Sequence, residues 1–208
     1  RLRRQRQMCI RDRVKDGEIK AVMSSNVDDL LYGSHPDAEK EIDEVLSEFS
    51  VKQKLEGEFR FCGKEVKQQD DFSILVTAKD NTEKIRPIDI GVSRKLTQKC
   101  DAKENTALRS VVASLAWIAR QVRPTLSYRV SKLQSTAGKA SVKDMRECNK
   151  VLEHALETSG EGIFFSSEGI TWDEAVVCSI NDASFGNVEV EVTPGVFETD
   201  RSQCGVMI

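Results

Sequence analysis

The chain is 208 residues long, carries 31 Lys+Arg against 34 Asp+Glu, and is 39% hydrophobic but only 6% aromatic. No apolar run reaches the ~18 residues of a membrane span and no apolar signal core follows the N-terminal charges. With 12 Gly and 4 Pro, collagen-like and wholly disordered classes are also excluded.

The net charge of -3 conceals a zoning along the chain. Residues 1–13 hold six Arg and one Asp; residues 14–83 hold nine bases and seventeen acids; residues 84–150 hold fifteen bases and five acids; residues 151–208 hold one base and eleven acids. A basic middle between acidic flanks is a candidate electrostatic footprint for a polyanion, and solvated Lys/Arg-rich helix faces would give the same counts.

In chain order, residues 1–13 show no period that would bury a face and read as an adaptor-derived or disordered basic segment, with a nucleic-acid-binding arm as the alternative. From Glu18, the apolar Ile19–Met23 run and the Asn26–Tyr32 run predict a β-hairpin with a tight turn at Ser24-Ser25 or at the Asp28-Asp29 pair. Ser34-His35-Pro36 starts a helix carrying Ala38, Ile42, Val45, Leu46 and Phe49 on one face. Residues 58–66 and 72–77 predict two strands, broken at Gly63 and joined by a turn at Gln68 to Asp71. No element is assigned between Lys79 and Glu104, where Pro87, Gly91 and scattered charges interrupt every period.

Thr106 or Asn105 is expected to cap a helix whose Leu108, Val111, Val112, Leu115 and Ile118 share a face, ended by Arg123-Pro124. Leu126, Val130 and Leu133 mark a second helix. Ser141 with Asp144 forms a capping-box pattern that opens a third, carrying Met145, Cys148, Leu152, Ala155 and Leu156 inward until Ser159-Gly160. Short apolar runs at 162–165, 175–180 and 205–208 predict the start of a second sheet, with turns at Glu168-Gly169 and Pro194-Gly195. The end on Val206-Met207-Ile208 reads as a strand cut short.

The six cysteines lie 26 residues or more apart with no C-x-x-C and only two His in the chain, so free thiols in a reducing compartment are expected, and no zinc site. His35 and His154 have no partner in sequence reach and read as surface or packing residues. Ser179 and Ser202 lack a nucleophile context. Trp117 and Trp172 read as core and rim anchors, and Glu189, Glu191 and Glu198 as a solvated strand face.

The residues with chemical promise are Asp28 and Asp29. Side chains alternate along a strand, so vicinal acids face one site only at a turn, and two carboxylates held there favour a divalent cation. An exposed acidic turn is the structural alternative.

Taken in series, Val27-Asp28-Asp29-Leu30-Leu31, Phe61-Cys62-Gly63, Ser114-Leu115-Ala116-Trp117-Ile118 with Arg123-Pro124, Tyr128 to Leu133, Asp182-Ala183-Ser184-Phe185-Gly186-Asn187 and Arg201-Ser202-Gln203-Cys204-Gly205 resemble one family. The order is similar to the reverse transcriptase region of a copia-type retrotransposon polyprotein running into ribonuclease H, over about residues 19–208 and faintly from 68 to 104. The resemblance implies an α+β fold: a partial polymerase palm at 14–80, thumb and connection helices at 81–170, and the first strands of a ribonuclease H-like domain at 171–208. It implies Asp28 and Asp29 as palm metal-binding catalytic acids and Asp182 as the first ribonuclease H acid, with Mg²⁺ as cofactor. Arg120, Arg123, Arg129 and Lys132 would track the nucleic-acid backbone. RNA template, DNA primer, dNTP and the remaining polyprotein segments are the implied partners, without a membrane, in a cytoplasmic particle or the nucleus.

Asn26, Cys62, Lys64, Thr125 and Ser184 depart from the family pattern. The third palm acid would lie upstream of this chain and the other ribonuclease H acids beyond Ile208, so the isolated chain is expected to be inactive. A noncatalytic nucleic-acid-binding remnant and an unrelated protein-interaction domain are the two readings from other classes.

Overall fold

A computed structural model describes residues 9–15, 17–136, 138–169, 180–193 and 196–207, with side chains for 14–15, 17–136 and 138–169. The fold is α+β and divides into two compact units, Arg1–Ser167 and Glu168–Ile208. Residues on both sides of position 80 belong to the first unit. No helix among the described residues is long and apolar enough to cross a membrane.

The first unit opens with an antiparallel sheet, β1 (Cys9–Lys15), β2 (Glu18–Asn26) and β3 (Asp29–Ser34), in that order. The strand β1 includes residues whose composition alone assigns them to the basic segment. Its pairing with β2 is made by the main chain, from Cys9 opposite Ser25 to Lys15 opposite Glu18, and an edge strand can form without an apolar period. Helix α1 (Glu39–Ser47) covers one face of this sheet: Ala21, Ala38 and Ile42 are buried together, with Met23, Tyr32 and Leu46 packed around them. Val45 and Phe49, assigned to the same apolar face, are exposed, so the buried stripe is narrower than the sequence suggests.

A second antiparallel sheet contains β4 (Glu58–Phe61), β5 (Lys64–Gln68), β6 (Ile74–Thr77) and β7 (Ile163–Phe165), also in that order. Residues 58–66 are thus a hairpin turning at Cys62-Gly63 rather than one strand. Both turn residues have positive φ, 50° and 76°, as a two-residue type I′ hairpin requires. The sequence placed 162–165 at the start of a second sheet, but β7 pairs with β6 through Ile74–Phe165, Leu75–Phe164 and Val76–Ile163. Three apolar residues carry no information about which sheet they join.

The main core is helical. The helices are α2 (Lys79–Glu83), α3 (Ala102–Gln121), α4 (Ser127–Thr136) and α5 (Val142–Glu157). Leu108, Leu115, Ile118, Val130, Leu133, Met145, Cys148 and Leu152 meet in one cluster, as their 3–4 residue spacing predicts. Helix α3 is capped by Asp101, four or five residues before the expected Asn105 or Thr106, because Asp101 and Glu104 form a capping box. The Ser141–Asp144 box opens α5 as expected, and Pro124 begins a short 3₁₀ turn, Pro124–Leu126, that ends the run of α3.

Between α2 and α3 the backbone of 84–101 is irregular and is held by both side-chain and main-chain bonds. Asn149 on α5 accepts from the Ile88 amide at 2.9 Å and donates to the Ile88 carbonyl at 2.8 Å. Residues 96–100 are stitched to 140–143 by Cys100 N–Ala140 O, Val142 N–Gln98 O and Lys143 N–Leu96 O bonds.

The second unit is an antiparallel pair, β8 (Ile180–Thr193) and β9 (Val196–Met207). The expected turn residues Pro194 and Gly195, and the expected strand residues 175–179, lie outside the described residues.

Candidate functional site

The β2–β3 hairpin settles which tight turn the chain uses. Asn26 pairs with Asp29, so Val27 and Asp28 are the two turn residues and Asp29 opens β3. Val27 has φ of 57°, the sign that mirror-image hairpin turns need at their first central position, where a β-branched side chain is strained. The vicinal acids are therefore set where the backbone reorients, and both are exposed.

Two turns distant in sequence meet here. The Asn26 Nδ2 donates to Cys62 Sγ at 2.9 Å, linking the base of the Asp28 turn to the tip of the β4–β5 hairpin. That tip is fixed from behind: Asn81 on α2 donates to the Gly63 carbonyl at 2.7 Å, Arg60 donates to Asn81 at 2.9 Å, and Lys64 Nζ donates to Gln121 of α3 at 3.1 Å. Trp117 packs against Gly63, where an added Cβ would sit 3.4 Å from its ring. Neither segment alone signals this contact.

Asp28 and Asp29 supply two carboxylates. Among the described residues no group of three or more His, Cys, Asp and Glu side chains could hold a metal ion. Asp28 and Asp29 by themselves do not make up a full Mg²⁺ site among the described residues. Asp182 lies in β8 opposite Gly205, and Ser184 lies opposite Gln203, within the second unit.

The four predicted phosphate contacts separate into different roles. Arg120 on α3 and Lys132 on α4 are exposed and form no ion pair among the described residues. Arg129 is held by Glu147 of α5 at 2.9 Å. Arg123 is only 4% exposed: it donates to the Thr158 carbonyl at 2.5 Å and to Thr158 Oγ1 at 2.7 Å, and pairs with Glu161 at 3.1 Å. Its cation closes the C-terminal end of α5 and is not presented to a ligand.

Of the other candidates, His35 Nδ1 accepts from the Asp37 amide and His154 is exposed on α5. Trp172 and Ser179 lie outside the described residues, and the side chains of Ser202, Glu189, Glu191 and Glu198 are likewise not described. An open groove of about 780 Å³ runs beside α3, lined by Lys84, Arg86, Pro87, Ser114 and Trp117 among others.

The described cysteines Cys62, Cys100 and Cys148 are free thiols. Burial, then the Glu147 carboxylate, pushes Cys148 from 9.0 up to about 12. The unfolded thiol ionises first, so the contribution of Cys148 to stability is complete below about pH 9 and is lost as pH rises towards 12. The expected slope is about 1.4 kcal/mol per pH unit across that window. Urea unfolding of wild type and Cys148→Ala should show this slope in wild type only; parallel alkaline profiles would refute it.

No protein-family model, no curated protein and no solved structure matches this chain.

Proposed function

We propose that the chain is a segment of a copia-type retrotransposon RNA-directed DNA polymerase with adjoining ribonuclease H, and that its first unit engages a template–primer duplex. The observation that carries this reading is the Asn26–Cys62 contact. The contact is made by two residues that depart from the family pattern, but it sets the acidic turn beside the Phe61-Cys62-Gly63 turn, and a palm site likewise needs its acidic hairpin held by neighbouring elements. The Val27-Asp28 turn places adjacent carboxylates at an exposed tip, where a primer end can reach them.

In this reading Asp28 and Asp29 are metal-binding acids of the parent enzyme and Asp182 belongs to the ribonuclease H part. On the same reading the 208 residues by themselves are expected to give no template-directed dNTP incorporation. Mg²⁺ would supply charge neutralisation of the triphosphate in the parent protein.

The test is a photo-cross-link. An RNA–DNA duplex with a photoreactive group on the primer 3′ terminus should label residues 18–34, read by peptide mass spectrometry. Labelling confined to other segments would overturn the polymerase reading in favour of a noncatalytic nucleic-acid-binding remnant. Absence of any duplex binding at low salt would overturn both.

A further inference from the structure

One group of unpaired cations among the described residues of the first unit lies outside the motifs that the sequence singles out. Residues 94–109 and 138–146 together hold eight basic and three acidic side chains. The fold brings them to one place. Lys99 is bridged to Ser141, the Lys99 ammonium donates to the Lys139 carbonyl at 3.4 Å, and Lys143 N bonds Leu96 O at 3.0 Å. Arg109 reaches the same loop, with a guanidinium nitrogen 3.4 Å from where a Cβ on Gly138 would lie.

The local acids are already engaged. Glu104 is held by Arg94 and by the α3 capping box, Asp101 caps α3, and Asp144 caps α5 through Ser141. Lys95, Lys99, Arg109, Lys139 and Lys143 are exposed and have no ion-pair partner among the described residues. The N-termini of α3 and α5 also lie side by side here, since Cys100 and Ala140, just before the two helices, are hydrogen-bonded. Both helices direct the positive ends of their dipoles to this end of the bundle.

We propose that this surface binds the phosphate backbone of a nucleic-acid duplex, an assignment that rests on the template–primer reading and gives it a second anchoring point away from the Asp28 hairpin. Its composition sets the kind of partner. Residues 94–109 and 138–146 contain no aromatic side chain, so bases have no platform to stack on and the contact is to phosphates. Leu96 is the one large apolar residue exposed in these segments, whereas a protein partner is normally anchored on a buried apolar or aromatic centre. Binding is therefore independent of sequence and strongly dependent on salt.

The test compares the whole chain with its K99Q/K139Q/K143Q variant on a labelled RNA–DNA duplex of about two helical turns across a salt series. Each phosphate contact contributes about -0.9 to the slope of log affinity against log salt, so the triple variant should lose about 2–3 from the slope. At about 0.1 M salt this corresponds to binding weaker on the order of 100-fold. The K99R/K139R/K143R variant should restore both quantities, and K40Q/K52Q/K67Q, with the same charge change elsewhere, should leave the slope nearly unchanged. Thermal unfolding of each variant confirms that it is folded.

Wild-type affinity and slope in the glutamine variant would overturn the surface while leaving the template–primer reading intact. Displacement of the duplex from wild type, but not from the glutamine variant, by equimolar poly-glutamate would overturn the choice of nucleic acid in favour of an acidic polypeptide. No duplex binding by wild type at low salt would overturn both the surface and the reading beneath it.

Discussion

Gly162→Ala should lower the stability of the first unit by about 2–3 kcal/mol, one of the larger effects available to a single methyl group. A Cβ at this position would lie 2.0 Å from the Val76 carbonyl oxygen and 2.8 Å from its carbon. Both are backbone atoms of β6, so no side-chain rotation relieves the clash. Either β7 separates from β6, losing its three residue pairs, or the sheet shifts. A fall in melting temperature of about 5–10 °C is the expected reading for a domain of this size. Gly160→Ala is the control, because nothing lies within 4 Å of its Cβ position and its effect should stay within about 0.5 kcal/mol. Equal melting temperatures for the two variants would show that β7 does not pack as described.

Arg123→Met should cost a comparable amount, about 2–3 kcal/mol, without loss of duplex binding. The buried guanidinium satisfies both the carbonyl and the hydroxyl of Thr158, the residue that ends α5, and pairs with Glu161. Methionine fills much of the volume but leaves that carbonyl without a charged donor. The exposed Glu161 can return to water, so the loss comes mainly from the Thr158 contacts. Arg123→Lys should recover less than half, because one ammonium cannot reproduce the two-pronged guanidinium contact. Urea unfolding measures the first effect and duplex anisotropy the second. A variant of native stability with weakened binding would return Arg123 to the nucleic-acid surface.

Arg123 also marks the limit of local sequence patterns. Its place beside Pro124 correctly locates the end of α3, but a partner 35 residues away decides what the charge does. Local chemistry is legible where one short pattern carries the whole cause. The Ser141–Asp144 box opens α5, and the vicinal acids fall at a turn because alternation along a strand cannot point both to one side. The Asp101–Glu104 box has the same logic but stands ahead of the apolar period that locates α3, which begins only at Leu108. Strand β1 leaves no signal because its pairing uses main-chain groups, and the Asn26–Cys62 link joins two segments whose separate patterns say nothing of each other.

The irregular stretch 84–101 is opaque for a related reason, and its dependence on Asn149 imposes an order in time as well as a position in space. Ile88, whose amide and carbonyl both bond a side chain 61 residues onward, cannot be fixed until that partner helix exists. Helices α3 to α5 are close in sequence and can associate early, whereas fixing Ile88 requires closing a long loop onto α5. The anchoring of Ile88, between the second sheet and the helical bundle, is thus expected to form late in folding. By the same logic it is the first part to be released when α5 loosens, so loss of one helix would set free the chain leading to the other half of the unit.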